Sequence, residues 1–323
     1  MKPLLEVRDL EVTLGSRTNP IQAVRGVSWG VLPGECLGII GESGAGKSVS
    51  ALAALGLLPK AHLQGEVFLD GERLDQLSPA QMRSRRVKTA MIFQEPSRSF
   101  DPITNFEATF RETLRAYNPG LGKQEARQRA HSLWKEVQLN QPETRLKSYP
   151  HQLSGGMLQR VMIALALANN PEVLICDEPT TALDVTVQRQ ILKLLAALKV
   201  SRSLAMVFIS HDLALVSEIA DRLVVMYGGL ILESGPVGEL LTSPASPYTQ
   251  ALWSSRILPG SHWTKDPLQV IPGLPPDPRQ PLTGCPFAPR CSRADADCTT
   301  LPPLTGLNRQ VRCHHPLSNG EML

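Results

Sequence analysis

The 323-residue sequence predicts an α/β fold built on a mainly parallel sheet. Three observations carry that expectation. Short apolar runs at 35–40, 89–93, 173–176, 206–209 and 223–226 alternate with longer helix-like stretches, the pattern of strands buried on both faces and joined by crossover helices. One of these runs, Cys36–Ile40, leads through a glycine-rich loop into the helix-like Val49–Leu58. Of the 27 prolines, 13 lie in the first 240 residues and 14 in the last 83, so the periodic region ends near Leu240 and an irregular, extended tail follows.

Taken along the chain, Val7–Val12 and Val24–Val31 read as two strands joined by a polar, turn-rich loop, an antiparallel β part ahead of the α/β core. Residues 97–168 hold helical pattern and little strand pattern, with Gln128, Ala130, Leu133, Trp134 and Val137 on one amphipathic stretch, so a helical subdomain is expected there. The organisation expected is therefore residues 1–240 as one domain with a helical subdomain at about 97–168, and 241–323 as a Pro/Cys-rich extension. No internal repeat suggests a solenoid.

Composition removes several function classes. The 33 Lys plus Arg against 30 Asp plus Glu leave +3 without long like-charge runs, so there is no basic footprint for nucleic acid. The longest apolar stretches, Val49–Pro59 and Val161–Ala168, fall short of the roughly 20 residues a bilayer span needs. Met1–Val12 lacks the basic and apolar regions of a signal peptide, so a reducing compartment is expected and six cysteines should be reduced or metal-bound.

The loop Gly41-Glu42-Ser43-Gly44-Ala45-Gly46-Lys47-Ser48 is a P-loop in its required strand, loop, helix context. Gly41, Gly44 and Gly46 let the backbone curl so that successive N–H groups and the helix N-terminus face one anion. Ser43 sits within that curl, Lys47 supplies charge to the outer phosphates, and the Ser48 hydroxyl can ligate Mg²⁺. A plain connecting turn would not need Lys and Ser at those places. The buried run 173–176 ends at Asp177-Glu178-Pro179, which puts two carboxylates at the sheet's carboxyl edge: Asp177 to hold Mg²⁺ through its water shell, Glu178 to act as general base on the attacking water. Cys176 reads as a small buried hydrophobe.

Between these elements, Leu153-Ser154-Gly155-Gly156-Met157-Leu158-Gln159-Arg160 resembles the signature sequence of ATP-binding cassette proteins. The other motifs of that family stand in the expected order. Gln94 resembles the Q-loop glutamine, Ala182-Leu183-Asp184 the D-loop, and His211 the switch histidine. The resemblance implies a P-loop NTPase cassette that binds ATP and Mg²⁺, with Glu178, His211 and Gln94 catalytic and Ser48, Gln94 and Asp177 around the metal. It also implies head-to-tail pairing, in which Ser154, Gly155 and Gly156 open a helix facing the ATP of a partner cassette. Where the family places an aromatic against adenine, this sequence has Leu14, which offers apolar contact only.

The stretches 155–164 and 177–186 resemble the dipeptide, oligopeptide and nickel branch of importers. Ser243–Leu252 resembles the post-cassette segment of that branch, with Ser246 where it usually has His, and 271–276 with 284–287 resembles its C-terminal extension. Cys285, Cys291, Cys298 and Cys313 lie within 29 residues at spacings of five, six and fourteen, without a CxxC knuckle. Four thiolates suit zinc or an iron–sulfur cluster, and free or disulfide-paired cysteines are the third reading. Similar extensions in the branch carry a [4Fe-4S] cluster, which the resemblance implies here. His314 and His315 read as exposed imidazoles of a polar tail, with substitution for one of the ligands as the alternative.

The resemblance implies an ATPase coupled to transport, peripheral on the cytoplasmic face of the inner cell membrane. Its implied partners are a second cassette ATPase, with a heterodimer favoured, two integral membrane permease subunits and an extracytoplasmic solute-binding protein, with no nucleic acid. Dipeptides or oligopeptides are the implied cargo, with nickel or another small solute as the alternative. A soluble cassette ATPase acting on DNA or ribosomes fits poorly with one cassette, no sustained heptads and little basic excess. A module that no longer hydrolyses ATP fits poorly with Lys47, Asp177, Glu178 and His211 all present.

Overall fold

The computed structural model describes residues 2–181, 183–255 and 270–318; Ala182, expected in the D-loop, lies outside them. In chain order the described strands are β1 (Leu5–Ser16), β2 (Asn19–Val31), β3 (Cys36–Ile40), β4 (His62–Leu69), β5 (Glu72–Arg73), β6 (Thr89–Ile92), β7 (Val173–Asp177), β8 (Ala205–Ser210), β9 (Arg222–Tyr227), β10 (Leu230–Pro236) and β11 (Gln310–Val311). The residues gather into two units, each discontinuous in sequence. One comprises Met1–Leu5, Val31–Cys36 and Leu69–Ile209, the other Glu6–Gly30, Leu37–Phe68 and Ser210–Leu323.

In the first unit, β6 and β8 flank β7, both parallel to it, with Ile92 opposite Cys176 and Asp177 opposite Ile209. Every residue of β7 and β8 is buried, which is why these strands read as continuous apolar runs rather than alternations. Parallel pairing sends the carboxyl ends of β6 and β7 to one edge, so Gln94, Asp177 and Glu178 emerge there together. Among the described residues, 97–168 hold helices and no strand. The helix Phe106–Tyr117 is capped by Asn105, whose side chain accepts the Ala108 N–H at 2.9 Å, and buries Phe106, Phe110 and Leu114 at four-residue spacing. Trp134 of the helix Lys123–Glu136 packs 5.9 Å from Phe106 and 6.3 Å from Phe110. That helix buries Ala126, Ala130, Leu133 and Trp134. Gln128, on the same amphipathic stretch, is exposed on the face opposite that stripe.

In the second unit, β1 and β2 form the expected hairpin across the two-residue turn Arg17–Thr18. The buried set of β1 changes phase at Asp9, from Leu5 and Val7 to Leu10 and Val12. Asp9 is left-handed, with φ 46°, and its N–H donates to Ser28 Oγ at 2.8 Å. β4 lies beside β1 in the same sheet, and a second set of strands runs β11-β10-β9-β3, with β3 parallel to β9 and the other pairs antiparallel. Among the described residues the Pro/Cys-rich tail thus supplies the helix Pro247–Ser254, short turns at Ala288–Arg290 and Asp297–Thr299, and an edge strand, β11. Glu233, fully buried on β10, fastens the tail by accepting the N–H groups of Ala245 and Ser246 at 2.9 and 3.0 Å and Arg309 Nη2 at 2.8 Å.

Candidate nucleotide site

The P-loop leaves β3 at Gly41, whose φ is 149° and where a Cβ would run into the Met226 carbonyl. Gly46, with φ 96°, caps the helix Lys47–Ala54, and a Cβ there would meet the Ala23 carbonyl. These two glycines let the loop lie against the backbones of β9 and β2 while its apex, Ser43 and Gly44, faces solvent. Lys47 is 6 % exposed, and its ammonium donates to the Gly41 carbonyl at 2.8 Å and the Glu42 carbonyl at 2.9 Å, so it is held across the mouth of the loop. Ser48 follows it in the first helical turn, where backbone N–H groups lack intrahelical acceptors and favour an anion.

Asp177 ends β7 and is 7 % exposed. Glu178 is the next residue and carries the left-handed φ of 45°, a strained conformation for a side chain of its size. Hydrogen bonds hold it: its N–H donates to Ile209 O at 2.9 Å, its carbonyl accepts the Thr181 N–H at 3.2 Å, and its Oε2 accepts Gln94 Nε2 and Thr181 Oγ1, each at 2.9 Å. The structure therefore brings two expected residues, Gln94 and Glu178, into direct contact.

Ser154 caps the helix Gly155–Ala166, its hydroxyl accepting the Met157 N–H at 3.4 Å. Gly155 and Gly156 are its first residues. They line an open cavity of about 520 Å³ with Leu183, Asp184 and Arg160. Arg160 donates to the Val137 carbonyl at 2.9 Å and Gln190 Oε1 at 3.2 Å, which ties the signature helix to its neighbours. The D-loop residue Asp184 caps the next helix, Val185–Arg202, through the Val187 N–H at 2.9 Å.

His211 follows β8 and is exposed; Asp212 beside it caps the helix Leu213–Ser217. Leu14 is half-buried on β1. In the tail, Cys285, Cys291, Cys298 and Cys313 are unbridged and line one small enclosed cavity together with Phe287 and Ala288. Burial pushes the thiols of Cys285 and Cys291 up and that of Cys313 to about 11. Backbone N–H groups oppose this at the sulfurs, from Phe287 and Ala288 to Cys285, from Arg293 to Cys291 and from His315 to Cys313. The two histidines, expected as exposed, are half-buried and engaged: His314 Nε2 lies 3.1 Å from Thr300 O, and His315 Nε2 lies 2.8 Å from Asp295. Asp295, Cys298 and His315 bring ligand atoms within 4.8 Å of one another.

Comparison with known proteins agrees with this geometry. Residues 24–181 match the ABC transporter family, and residues 232–298 match the oligopeptide/dipeptide transporter C-terminal region. The chain is 42 % identical to the dipeptide transport ATP-binding protein DppD of Escherichia coli over 322 residues, 98 % of both chains. The chain belongs to the ATP-binding proteins of the oligopeptide/dipeptide branch of ABC transporters. It is also 44 % identical to a putative peptide import ATP-binding protein of Brucella abortus, covering 96 % of this chain and 94 % of the relative. The likeness to the oligopeptide transport ATP-binding protein OppD of Mycobacterium tuberculosis is 44 % over 94 % of this chain, which spans only half the length of that relative. Among solved structures, the dimeric post-hydrolysis ATP-binding cassette MJ0796 bound to ADP and Pi is 28 % identical with a TM-score of 0.64, over 72 % of this chain and 98 % of that one.

As an ABC transporter ATP-binding protein, the chain implies ATP and Mg²⁺ as ligands of its P-loop. No described helix is long and apolar enough to cross a membrane. Sequence reasoning passed over three groups that touch expected residues or the P-loop. Thr181 shares Glu178 with Gln94. Tyr248, whose phenol is pushed up by burial and so stays neutral, accepts the Glu42 N–H at 3.0 Å; Arg290 pairs with the Glu42 carboxylate at 2.6 and 3.0 Å. Tyr248 lies within the post-cassette segment that the sequence did single out, but an aromatic in a Pro-rich segment carries no mark of its partner.

Proposed function

We propose that this chain is the ATP-hydrolysing subunit of a membrane importer for dipeptides or oligopeptides. The observation that carries the reading is the likeness, along 98 % of both chains, to a protein named for dipeptide transport. Its partners are a second cassette ATPase, two permease subunits and an extracytoplasmic solute-binding protein, and its place is the cytoplasmic face of the cell membrane. Residues 1–240 form the nucleotide-binding domain and 241–323 the extension.

The residues suit the chemistry. Lys47 and the N–H groups of the P-loop hold the phosphates, and Ser48, Asp177 and Gln94 offer the hard oxygen donors that Mg²⁺ takes. That ion, when bound, offsets charge on the β- and γ-phosphates. Glu178 accepts a proton from the attacking water, oriented by Gln94 and Thr181, and His211 hydrogen-bonds at the γ-phosphate. Ser154, Gly155 and Gly156 present a capped helix N-terminus to the ATP of the partner cassette. Leu14 contributes apolar contact to the adenine.

The four tail cysteines are suited to a [4Fe-4S] cluster. Four thiolates are the ligand set that such a cluster takes. Such a cluster would staple a tail that has little core of its own.

The test is reconstitution with the permease, partner cassette and binding protein in vesicles. ATP-driven peptide uptake is expected, with Glu178→Gln binding ATP but abolishing hydrolysis and uptake. Normal steady-state hydrolysis by that variant overturns the site assignment, and uptake of nickel but not peptide overturns the cargo.

A further inference from the structure

The P-loop carries a carboxylate at the second position of a turn built to hold an anion. An unbalanced charge there would oppose a bound triphosphate. The structure binds every polar group of this residue, Glu42. Its N–H donates to Tyr248 Oη at 3.0 Å, its carbonyl accepts Lys47 Nζ at 2.9 Å, and its two carboxylate oxygens accept Arg290 Nη1 and Nη2 at 2.6 and 3.0 Å. The guanidinium is fixed in turn. It donates to Pro272 O at 2.7 Å, Ile271 O at 3.1 Å and Tyr227 Oη at 3.0 Å, and its side chain is 5 % exposed. A bidentate pair of this kind specifies geometry as well as charge.

Arg290 belongs to the cysteine tail. It ends the turn Ala288–Arg290 and immediately precedes Cys291. Phe287, at the start of that turn, packs edge-on against Tyr227 and Tyr248 at ring-centre distances of 5.6 and 5.2 Å. Cys285, Phe287 and Cys291 all line the cavity that Cys298 and Cys313 complete. The segment that arranges the thiols therefore also aims the guanidinium at the P-loop.

We infer that Arg290 is a positioning residue for the P-loop, through which the folded state of the cysteine tail sets the affinity of the site for nucleotide. The inference rests on the ATP-binding reading above. It makes the tail a part of the nucleotide site and not a distal appendage: loosening the turn at Cys291 frees the guanidinium, leaves Glu42 charged and unpaired, and releases the carbonyl that orients Lys47.

The experiment is equilibrium binding of Mg-ATP to the full chain, read beside the melting temperature and the kinetic constants for hydrolysis. Arg290→Ala is expected to raise Kd about tenfold. It should raise KM for ATP in step, with kcat at saturation nearly unchanged. Arg290→Lys, which keeps charge but loses the fork, falls between. In a Glu42→Gln background Arg290→Ala should have no further effect, and the exchange Glu42→Arg with Arg290→Glu should recover most of the affinity. Cys291→Ser should also raise Kd, without adding to Arg290→Ala. A wild-type Kd in Arg290→Ala, or additive losses in these doubles, overturns the inference and leaves the ATP-binding reading standing. Should Arg290→Ala not fold, Arg290→Lys and Glu42→Gln carry the comparison. Failure of the unaltered chain to bind Mg-ATP overturns both readings.

Discussion

Gln94 and Glu178, 84 residues apart in sequence, are joined by a 2.9 Å hydrogen bond from the glutamine amide to the carboxylate. The amide follows β6 and the carboxylate follows β7, and the parallel pairing of those strands puts both at one sheet edge. Thr181 donates to the same oxygen. A general base must present a lone pair in a fixed direction, and two donors on one oxygen fix the orientation of the other. Gln94 therefore orients the Glu178 carboxylate.

Glu178→Gln should lower steady-state hydrolysis by at least about 100-fold, the usual worth of a positioned general base, while ATP binding persists. Gln94→Ala should lower kcat by about tenfold, and the double variant should be no slower than Glu178→Gln alone, because both act on one proton transfer. Phosphate release by the assembled transporter measures all three.

The signature glycines should separate into two classes. A Cβ on Gly156 would stand 2.7 Å from Val187 Cγ1, whereas one on Gly155 meets nothing closer than Leu183 at 3.6 Å. Gly156→Ala should lower the melting temperature of the isolated chain, and Gly155→Ala should leave it unchanged while weakening ATP-dependent pairing of cassettes, read by light scattering.

Ser154→Ala removes the side-chain acceptor from the Met157 N–H and should cost about 1 kcal/mol of unfolding free energy. Ser154→Asp, which restores a cap, should recover it in chemical denaturation, yet should not restore pairing, since it sets a negative charge before the partner's phosphates.

Leu14→Phe should tighten ATP binding, because an aromatic stack on a base is worth about 1 to 3 kcal/mol where an aliphatic contact gives less. A titration of each protein with Mg-ATP decides it, and an unchanged Kd would remove Leu14 from the adenine site.

Chain purified without oxygen should carry about four irons and four sulfides with a broad visible absorption, lost in Cys285→Ser. Zinc in place of iron would leave the ATPase assignment intact and replace the cluster by a structural ion.

The P-loop, the carboxylate pair at Asp177 and Glu178, and the Ser154 cap were legible in the sequence because each is a local device. A φ of 149° at Gly41, a strand running buried to its last carboxylate and a hydroxyl three residues before an N–H each restrict residue type at a fixed spacing. The β1–β2 hairpin, the helical content of 97–168 and the irregular stretch 272–281 were equally legible from periodicity and proline, whereas the helix Pro247–Ser254 was not. Only tertiary structure decided that Gln94 touches Glu178, that Arg290 reaches Glu42 across 248 residues, and that four widely spaced thiols line one cavity. Such contacts have no period and no required spacing. A long polar side chain is as compatible with water as with a partner, so its role is set by where the sheet and the tail deliver it.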